Sequence, residues 1–386
     1  MTLTIDESYL TKLTQELVQI NSINPSLTPE GKGEAEIGAY VAEKLQELGL
    51  DVTTSEIAPG RVNVVGVLKG SGGGKSMLMN AHMDTVGVES MRIDPFGGEL
   101  REGRVYGRGA QDMKGSLAAM IAATKAIVDA GVHLRGDLLI TGVADEEYSS
   151  IGTEALVKEF KADGAIVTEP TDMHICRAHR GFIWFEVETI GRAAHGSRYN
   201  EGIDANMRMG RFLAELEKLE QELLQRKGHE LTGPPSLHAA MIQGGTEVSK
   251  YAERCKLTIE RRTVPGETVE TATAELQEIV DRLEKQESSF KATVKAAFWR
   301  EPFEVKQDAE IVQITDQALS ERLGRHPEHT GQTFWTDAAL ISEAGMETVI
   351  LGPKGYGLHS AEEWVDMESV VDLAYVLAAT AIQYCG

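Results

Sequence analysis

The sequence predicts an α/β protein with a second domain set into the first. The larger domain is a mixed, mostly parallel sheet flanked by helices, built from residues 1–179 and 297–386. A smaller α+β ferredoxin-like domain occupies residues 180–296. Three observations carry this expectation. The chain has 386 residues, more than one ordinary core accommodates. Short, wholly apolar runs alternate with helical patterns at both ends of the chain, as in a sheet covered on both faces. Between about Arg180 and Ala296 the runs instead alternate apolar and polar residues, as half-exposed strands do.

Taken in order, YLTKLTQELVQI and AEIGAYVAEKLQELGL have helical spacing, and Gly49 is placed to cap the second helix. RVNVVGVLKG and SMLMNAH read as strands joined by SGGGK, which is expected to be a hairpin turn. It lacks the spacing of a phosphate-binding loop, and a strand follows it rather than a helix. DMKGSLAAMIAATKAIVDAG reads as a long helix, and GDLLITGVA, GAIVTEP and ETVILGP as buried strands. In the middle segment, FIWFEVETIG, SLHAAMIQGG, ERCKLTIERRTV and KATVKAAF are alternating strands. EGIDANMRMGRFLAELEKLEQELLQRKG and TVETATAELQEIVDRLEKQ are amphipathic helices. The order strand, helix, strand, strand, helix, strand is the split βαβ pattern.

Charge excludes several functions. The net charge of −22 argues against nucleic acid and against anionic membranes as partners. No apolar run reaches the roughly 18 residues of a membrane-spanning helix. MTLTIDESYL lacks the pattern of a secretory signal, so a cytoplasmic protein is expected. The three cysteines, Cys176, Cys255 and Cys385, are far apart, so neither a disulfide framework nor a thiolate metal site is expected. A metal here would need histidine and carboxylate ligands.

Such ligands stand where strands end. SMLMNA runs into His82 and Asp84, DLLITGVA into Asp145, Glu146 and Glu147, and GAIVT into Glu169. ETVILGPKGYGL leads to His359. Sites in open α/β sheets lie beyond the carboxyl ends of the strands. Asp112 is expected at the start of the long helix, facing the positive end of its dipole. Two histidines and three carboxylates, one of them bridging, suit two zinc ions about 3.5–4 Å apart. Cobalt and manganese accept the same donors. Asp84 is placed to take the ring proton of His82 and fix its tautomer. Each residue has a plainer reading by itself: an acidic turn, a satisfied core histidine, a loop acid. It is their convergence on strand ends that argues for a metal. His174, His179, His229, His238, His326 and His329 carry no such signal.

HMDTV, GRGAQDMKGS, ADEE, TEPT and HSAEEWV, in this order, resemble the zinc-dependent acylase and carboxypeptidase family. That family includes acetylornithine deacetylase, succinyl-diaminopimelate desuccinylase, aminoacylase and glutamate carboxypeptidase, and the resemblance is closest to the deacetylase and desuccinylase branch. It covers nearly the whole chain and implies a catalytic domain interrupted by a lid and dimerisation domain. It makes Asp112 the bridging ligand, with His82 and Glu169 on one ion and Glu147 and His359 on the other. Glu146 becomes the general base. RAAHGSRYNEGIDAN resembles the lid segment whose histidine crosses to the partner subunit, which makes His195 a donor to the oxyanion. ERRTVPGE resembles a stretch that binds the substrate carboxylate, here through Arg262. Asp145 receives no role. HSAEEWV departs from the family's usual tail, because Glu362 rather than Asn or Asp precedes Glu363.

The activity implied is removal of an acyl group from an N-acyl amino acid by a metal-activated water, in a homodimer. Acetylornithine is the first candidate substrate. The alternatives are a carboxypeptidase acting on a dipeptide or folate-like amide, and a non-catalytic relative that only binds metal or ligand.

Overall fold

A computed structural model describes residues 3–386, so the first two residues of MTLTIDESYL lie outside it. The chain forms two compact units. The first comprises residues up to Arg177, Val305–Thr330 and Thr336–Gly386, and the second Ala178–Glu304 with Gly331–Trp335. The sequence places the later boundary at 296, inside what proves to be one strand. Ala292–Arg300 pairs with Gly181–Ile190 as far as Arg300 opposite Phe182, so the boundary falls beyond it.

The sheet of the first unit is mixed with a parallel centre. Leu138–Val143, Met77–His82, Gly164–Val167 and Glu347–Ile350 lie side by side and parallel. Asp51–Ala58 and Arg61–Leu68 extend it antiparallel beyond Leu138–Val143. The three strands Met77–His82, Leu138–Val143 and Gly164–Val167 are buried along their whole length, which is why they read as unbroken apolar runs. The helix Gly115–Asp129 is buried almost throughout and packs against Met367–Cys385, also largely buried. Its many alanines allow close approach, and they give it no polar face to read.

SGGGK is not a hairpin turn. Arg61–Leu68 and Met77–His82 are not neighbours, because Leu138–Val143 lies between them. The glycine loop is a crossover that leans on the chain entering that inserted strand. Ser71 and Gly72 donate their N–H groups to the carbonyls of Leu134 and Arg135. A Cβ on Gly136 would collide with the Lys75 carbonyl, so the two segments touch backbone to backbone. A small sheet absent from the sequence reading joins Gly355–Tyr356, Trp364–Asp366, Arg104–Tyr106 and Glu99–Arg101.

The second unit is an antiparallel sheet in the order Ser236–Gly244, Arg254–Thr263, Gly181–Ile190, Ala292–Arg300. This is the ferredoxin-like order. The helices Ala205–Gln225 and Val269–Gln286 cover one face. They bury Phe212, Leu216, Leu276 and Ile279 with Phe185, Val187 and Ile259 of the sheet. Asp204 and Thr268 cap the helices through their side chains, the latter in a reciprocal box with Thr271.

Two glycines give opposite expectations in a thermal melt. Gly136→Ala lowers the melting temperature, because the contact with Lys75 must open. Gly210→Ala, in the exposed interior of Ala205–Gln225 with nothing near its Cβ position, raises stability by up to about 1 kcal/mol.

Candidate metal centre

The parallel strands deliver their ends to one edge. His82 is the last residue of its strand. Val143 is followed by a bend and turn over 144–149, and Val167 by Thr168 and Glu169. His359 lies in the turn between the two strands Gly355–Tyr356 and Trp364–Asp366. Asp112 does not start the long helix. It sits in an irregular turn, Ala110–Lys114, with φ −118° and ψ 87°, and the helix begins at Gly115. The extended conformation carries its carboxylate away from the helix axis and toward the histidines.

Among the described residues two donor groups form, His82, Asp112 and Glu169, and Asp112, Glu147 and His359. Within each, one ligand atom per residue lies within 4.8 Å of the others. His82 Nε2 is 2.9 Å from Asp112 Oδ1 and 3.8 Å from Glu169 Oε1. His359 Nε2 is 3.0 Å from Glu147 Oε2 and 3.5 Å from Asp112 Oδ2. Asp112 therefore offers one oxygen to each group.

The proton on His82 Nδ1 is held by the main chain of Asp84, at 2.9 Å to its carbonyl, whereas the Asp84 carboxylate stands at 3.6 Å. This fixes the tautomer and leaves Nε2 to face the carboxylates. The carboxylate of Asp84 has another task. It accepts the backbone N–H groups of Glu146 and Glu147, each at 3.2 Å, and the amide of Asn24 at 2.7 Å. It thereby pins the turn that bears the proposed base and a proposed ligand.

Asp145, without a role in the sequence reading, faces a protein cation. Arg61 reaches its carboxylate at 2.9 Å and grips Glu34 with two bonds of 2.7 Å. Asn24 also donates to Asp145, at 3.0 Å. Glu34, Arg61, Asp84, Asp145 and Asn24 are all buried. A second buried pair joins Arg108 to Glu363 at 2.6 Å. The other oxygen of Glu363 accepts the N–H groups of Gln111 and Asp112, and Arg108 also donates to the Ser360 carbonyl beside His359. Glu363 and Arg108 thus tie the Asp112 turn to the His359 turn. Sequence reasoning missed Glu34, Arg61, Asn24 and Arg108, and met Glu363 only as the last acid of a tail motif that departs from the family at Glu362.

Electrostatics describe a site short of positive charge. Burial and the neighbouring Glu169 push Glu146 well above the usual carboxylate range. Glu169 is driven the same way by burial and by Asp112. Burial, with repulsion from Asp112, moves Glu363 up to about 7. Burial also raises Asp112, but hydrogen bonds from His359 and His82 outweigh it and hold this carboxylate below its ordinary value. The bonds to Asp112 and Glu147 push His359 up to about 10. Burial opposes the charge on His82, yet Asp112 and Glu169 hold its pKa well above normal. A donor set of imidazoles and carboxylates that has to borrow protons to stay balanced fits a pair of divalent cations.

His195 and Arg262 belong to the second unit. His195 is exposed, with Nδ1 2.8 Å from Ser197 Oγ. Arg262 is half-buried on the strand Arg254–Thr263, bridged to Glu260 at 2.9 Å. The five ligand candidates and Glu146 lie in the first unit.

Comparisons with known proteins follow the same lines. The family profile described as Peptidase family M20/M25/M40 matches residues 78–383. An acetylornithine deacetylase of Myxococcus xanthus is 33% identical over 333 residues, 84% of this chain and 85% of that protein. An N-formyl-4-amino-5-aminomethyl-2-methylpyrimidine deformylase of Bacillus subtilis is 29% identical over 406 residues, covering 96% and 95%. Among solved structures, an aminopeptidase PepT from Bacillus cereus superposes with a TM-score of 0.81 at 21% identity, over 99% and 100% of the chains. The dinuclear metal-binding peptidase YXEP of Bacillus subtilis does so with 0.75 at 16%, over 98% of each.

Two measurements check this centre. At pH 7 the histidines carry protons that a metal must displace, so calorimetry in two buffers of different ionisation enthalpy records net proton release on metal binding. Affinity falls as pH falls, since protons then compete for His82 and His359. Arg61→Met strands Glu34 and Asp145 as buried, unpaired charges, and it lowers stability toward urea by about 3–5 kcal/mol.

Proposed function

The chain belongs to Peptidase family M20/M25/M40 and is an amide-hydrolysing metalloenzyme, and from that premise we propose that it removes the acyl group from an N-acyl amino acid. The observation that carries the reading is the shared carboxylate of Asp112 between two donor groups, with Glu146 on the same turn as Glu147. His82, Asp112 and Glu169 would hold one ion, and Asp112, Glu147 and His359 the other, zinc being the first choice. When bound, such ions polarise the amide carbonyl and acidify water.

The remaining work falls to side chains. Glu146 takes the proton of the attacking water and returns it to the leaving amine. His195 donates to the developing oxyanion, and Arg262 pairs with the substrate carboxylate through its planar fork. The deacetylase name of the Myxococcus relative supports an N-acetyl substrate and makes N-acetylornithine the first to assay.

A homodimer through the second unit belongs to the same proposal. Ser236–Gly244 is the edge of its sheet, and Met241 and Ile242 on it are 67% and 57% exposed. An unprotected apolar edge strand invites pairing with a second copy. His195 would then serve the partner's site.

The test is turnover by the zinc-loaded full chain of N-acetylornithine, N-succinyl-diaminopimelate and dipeptides side by side. Hydrolysis of dipeptides alone would replace the deacylase reading with a carboxypeptidase one. Glu146→Gln is expected to keep its metal, measured by mass spectrometry, while kcat drops about 10²–10⁴-fold. Retained activity in that variant would remove Glu146 as the base. Sedimentation of a stable, fully active monomer would end the role of His195 across subunits.

A further inference from the structure

The loop that carries Glu146 is fastened at its far end as well as at Asp84. It leaves the strand Leu138–Val143 at Ala144 and enters the helix Ile151–Glu159. Within it the carbonyl of Asp145 accepts the N–H groups of Ser149 at 3.1 Å and Ser150 at 2.6 Å. Asn63, buried on the neighbouring strand Arg61–Leu68, closes the base of the loop. Its Oδ1 accepts the N–H of Ala144 at 3.0 Å, and its Nδ2 donates to the carbonyl of Gly152 at 2.7 Å. The Gly152 N–H returns to the Ala144 carbonyl at 3.2 Å. A Cβ on Gly152 would collide with that carbonyl, so the two ends of the loop touch backbone to backbone. Residues 144–152 are thereby tied into one piece.

What anchors that piece is the start of the helix. Ser150 precedes it with φ 59°, and its side chain forms no cap bond. The first turn is met instead by a carboxylate remote in sequence. Thr153 Oγ1 donates to Asp337 Oδ2 at 2.6 Å, and both residues are buried in the first unit. Asp337 stands before the short helix Ala338–Glu343 without capping it through its side chain. A negative group at this place also faces the positive end of Ile151–Glu159.

Asp337 is a costly way to hold a hydroxyl. Its other oxygen, Oδ1, is buried without a hydrogen bond. Burial raises its pKa to about 6, against the bond from Thr153. A carboxylate desolvated to this degree adds little to stability. Its place suggests a different use, because the helix start that it meets closes the loop bearing Glu146.

We propose that Asp337 is a positioning residue for the reaction: through Thr153 it holds the start of Ile151–Glu159, and through the closed loop 144–152 it sets where Glu146 stands. The inference rests on the reading of Glu146 as the base and adds to it a group that aims it. Asp337 acts at one remove, as Asp84 does from the other side through the N–H groups of Glu146 and Glu147.

The experiment removes the hydroxyl and then restores it. In the zinc-loaded full chain, Thr153→Val lowers kcat for N-acetyl-L-ornithine about tenfold and leaves KM within about twofold of its starting value, since a small misplacement of a reacting group costs rate rather than binding. Thr153→Ser, which returns the hydroxyl, recovers the loss. Asp337→Ala has the same effect from the other partner, and Asp337→Asn, which keeps an oxygen for Thr153, recovers it. Added to Glu146→Gln, Thr153→Val lowers kcat no further, because it acts through the group already removed. Hydrogen exchange gives a readout without turnover: amides 149–154 exchange faster in Thr153→Val than in Thr153→Ser, while those of Leu138–Val143 keep their protection and report an intact fold. Equal kcat in the valine and serine variants, or an equal fall in the Glu146→Gln background, overturns the role of Asp337 and leaves Glu146 standing as the base. Full activity of Glu146→Gln instead ends the base reading, and Asp337 loses the residue it would position. If N-acetyl-L-ornithine is not hydrolysed, the substrate reading falls and exchange decides: a difference between the valine and serine variants upholds the clamp, and none overturns it.

Discussion

Asp84, Asp112, Asp145, Glu146, Glu147 and Glu169 are drawn to one edge of a buried sheet, where low polarisability strengthens their mutual repulsion. Much of the local architecture answers that repulsion. Arg61 takes Asp145, with Glu34 gripping its other side. Asn24 bridges Asp84 and Asp145 with one amide group. His82 and His359 hold Asp112 from two directions. What these groups leave unbalanced, Glu146 and Glu169 express as a reluctance to ionise. The two donor groups that share Asp112 are where divalent cations would supply the missing positive charge.

Consecutive acids can serve different ends because the backbone turns between them. Asp145 has φ 70°, in the left-handed region, and its carbonyl accepts the N–H groups of Ser149 and Ser150. That reversal sends the Asp145 side chain inward to Arg61. The next two N–H groups are left for the Asp84 carboxylate, and Glu147 is left to meet His359. Adjacent residues with like chemistry are thus separated by conformation: one is sealed in the protein and one is offered to a ligand.

The parallel core and the inserted ferredoxin-like unit were legible because they write local, periodic signals: unbroken apolar runs for strands covered on both faces, alternation for strands covered on one. The candidates His82, Glu147 and Glu169 stood out because each lies at or just beyond the end of such a run. The failures have one physical origin. Which strand lies next to which is decided by contacts remote in sequence, so the insertion of Leu138–Val143 beside Met77–His82 turned an expected hairpin into a crossover. Arg61 and Asp145 are likewise far apart in the chain, and nothing near either residue announces the other. Glu363 stood in a motif, but its bonds to Gln111 and Asp112 depend on a small sheet whose strands are only two or three residues long.

The buried pairs around the centre are better understood as positioning than as stabilising devices. Desolvating two charges costs about as much as their attraction returns, so Arg61–Glu34 and Arg108–Glu363 add little net stability over apolar packing of equal volume. An apolar replacement, however, could not accept the N–H groups of Gln111 and Asp112, nor hold the Asp145 carboxylate inward. The strength of these pairs lies in their asymmetry: complete, they are nearly neutral; broken on one side, they leave a charge that no water reaches. A turn fastened in this way has few alternative arrangements of comparable energy. That restriction places Asp112, Glu147 and His359 within ligand distance of one another before any metal contributes to holding them there.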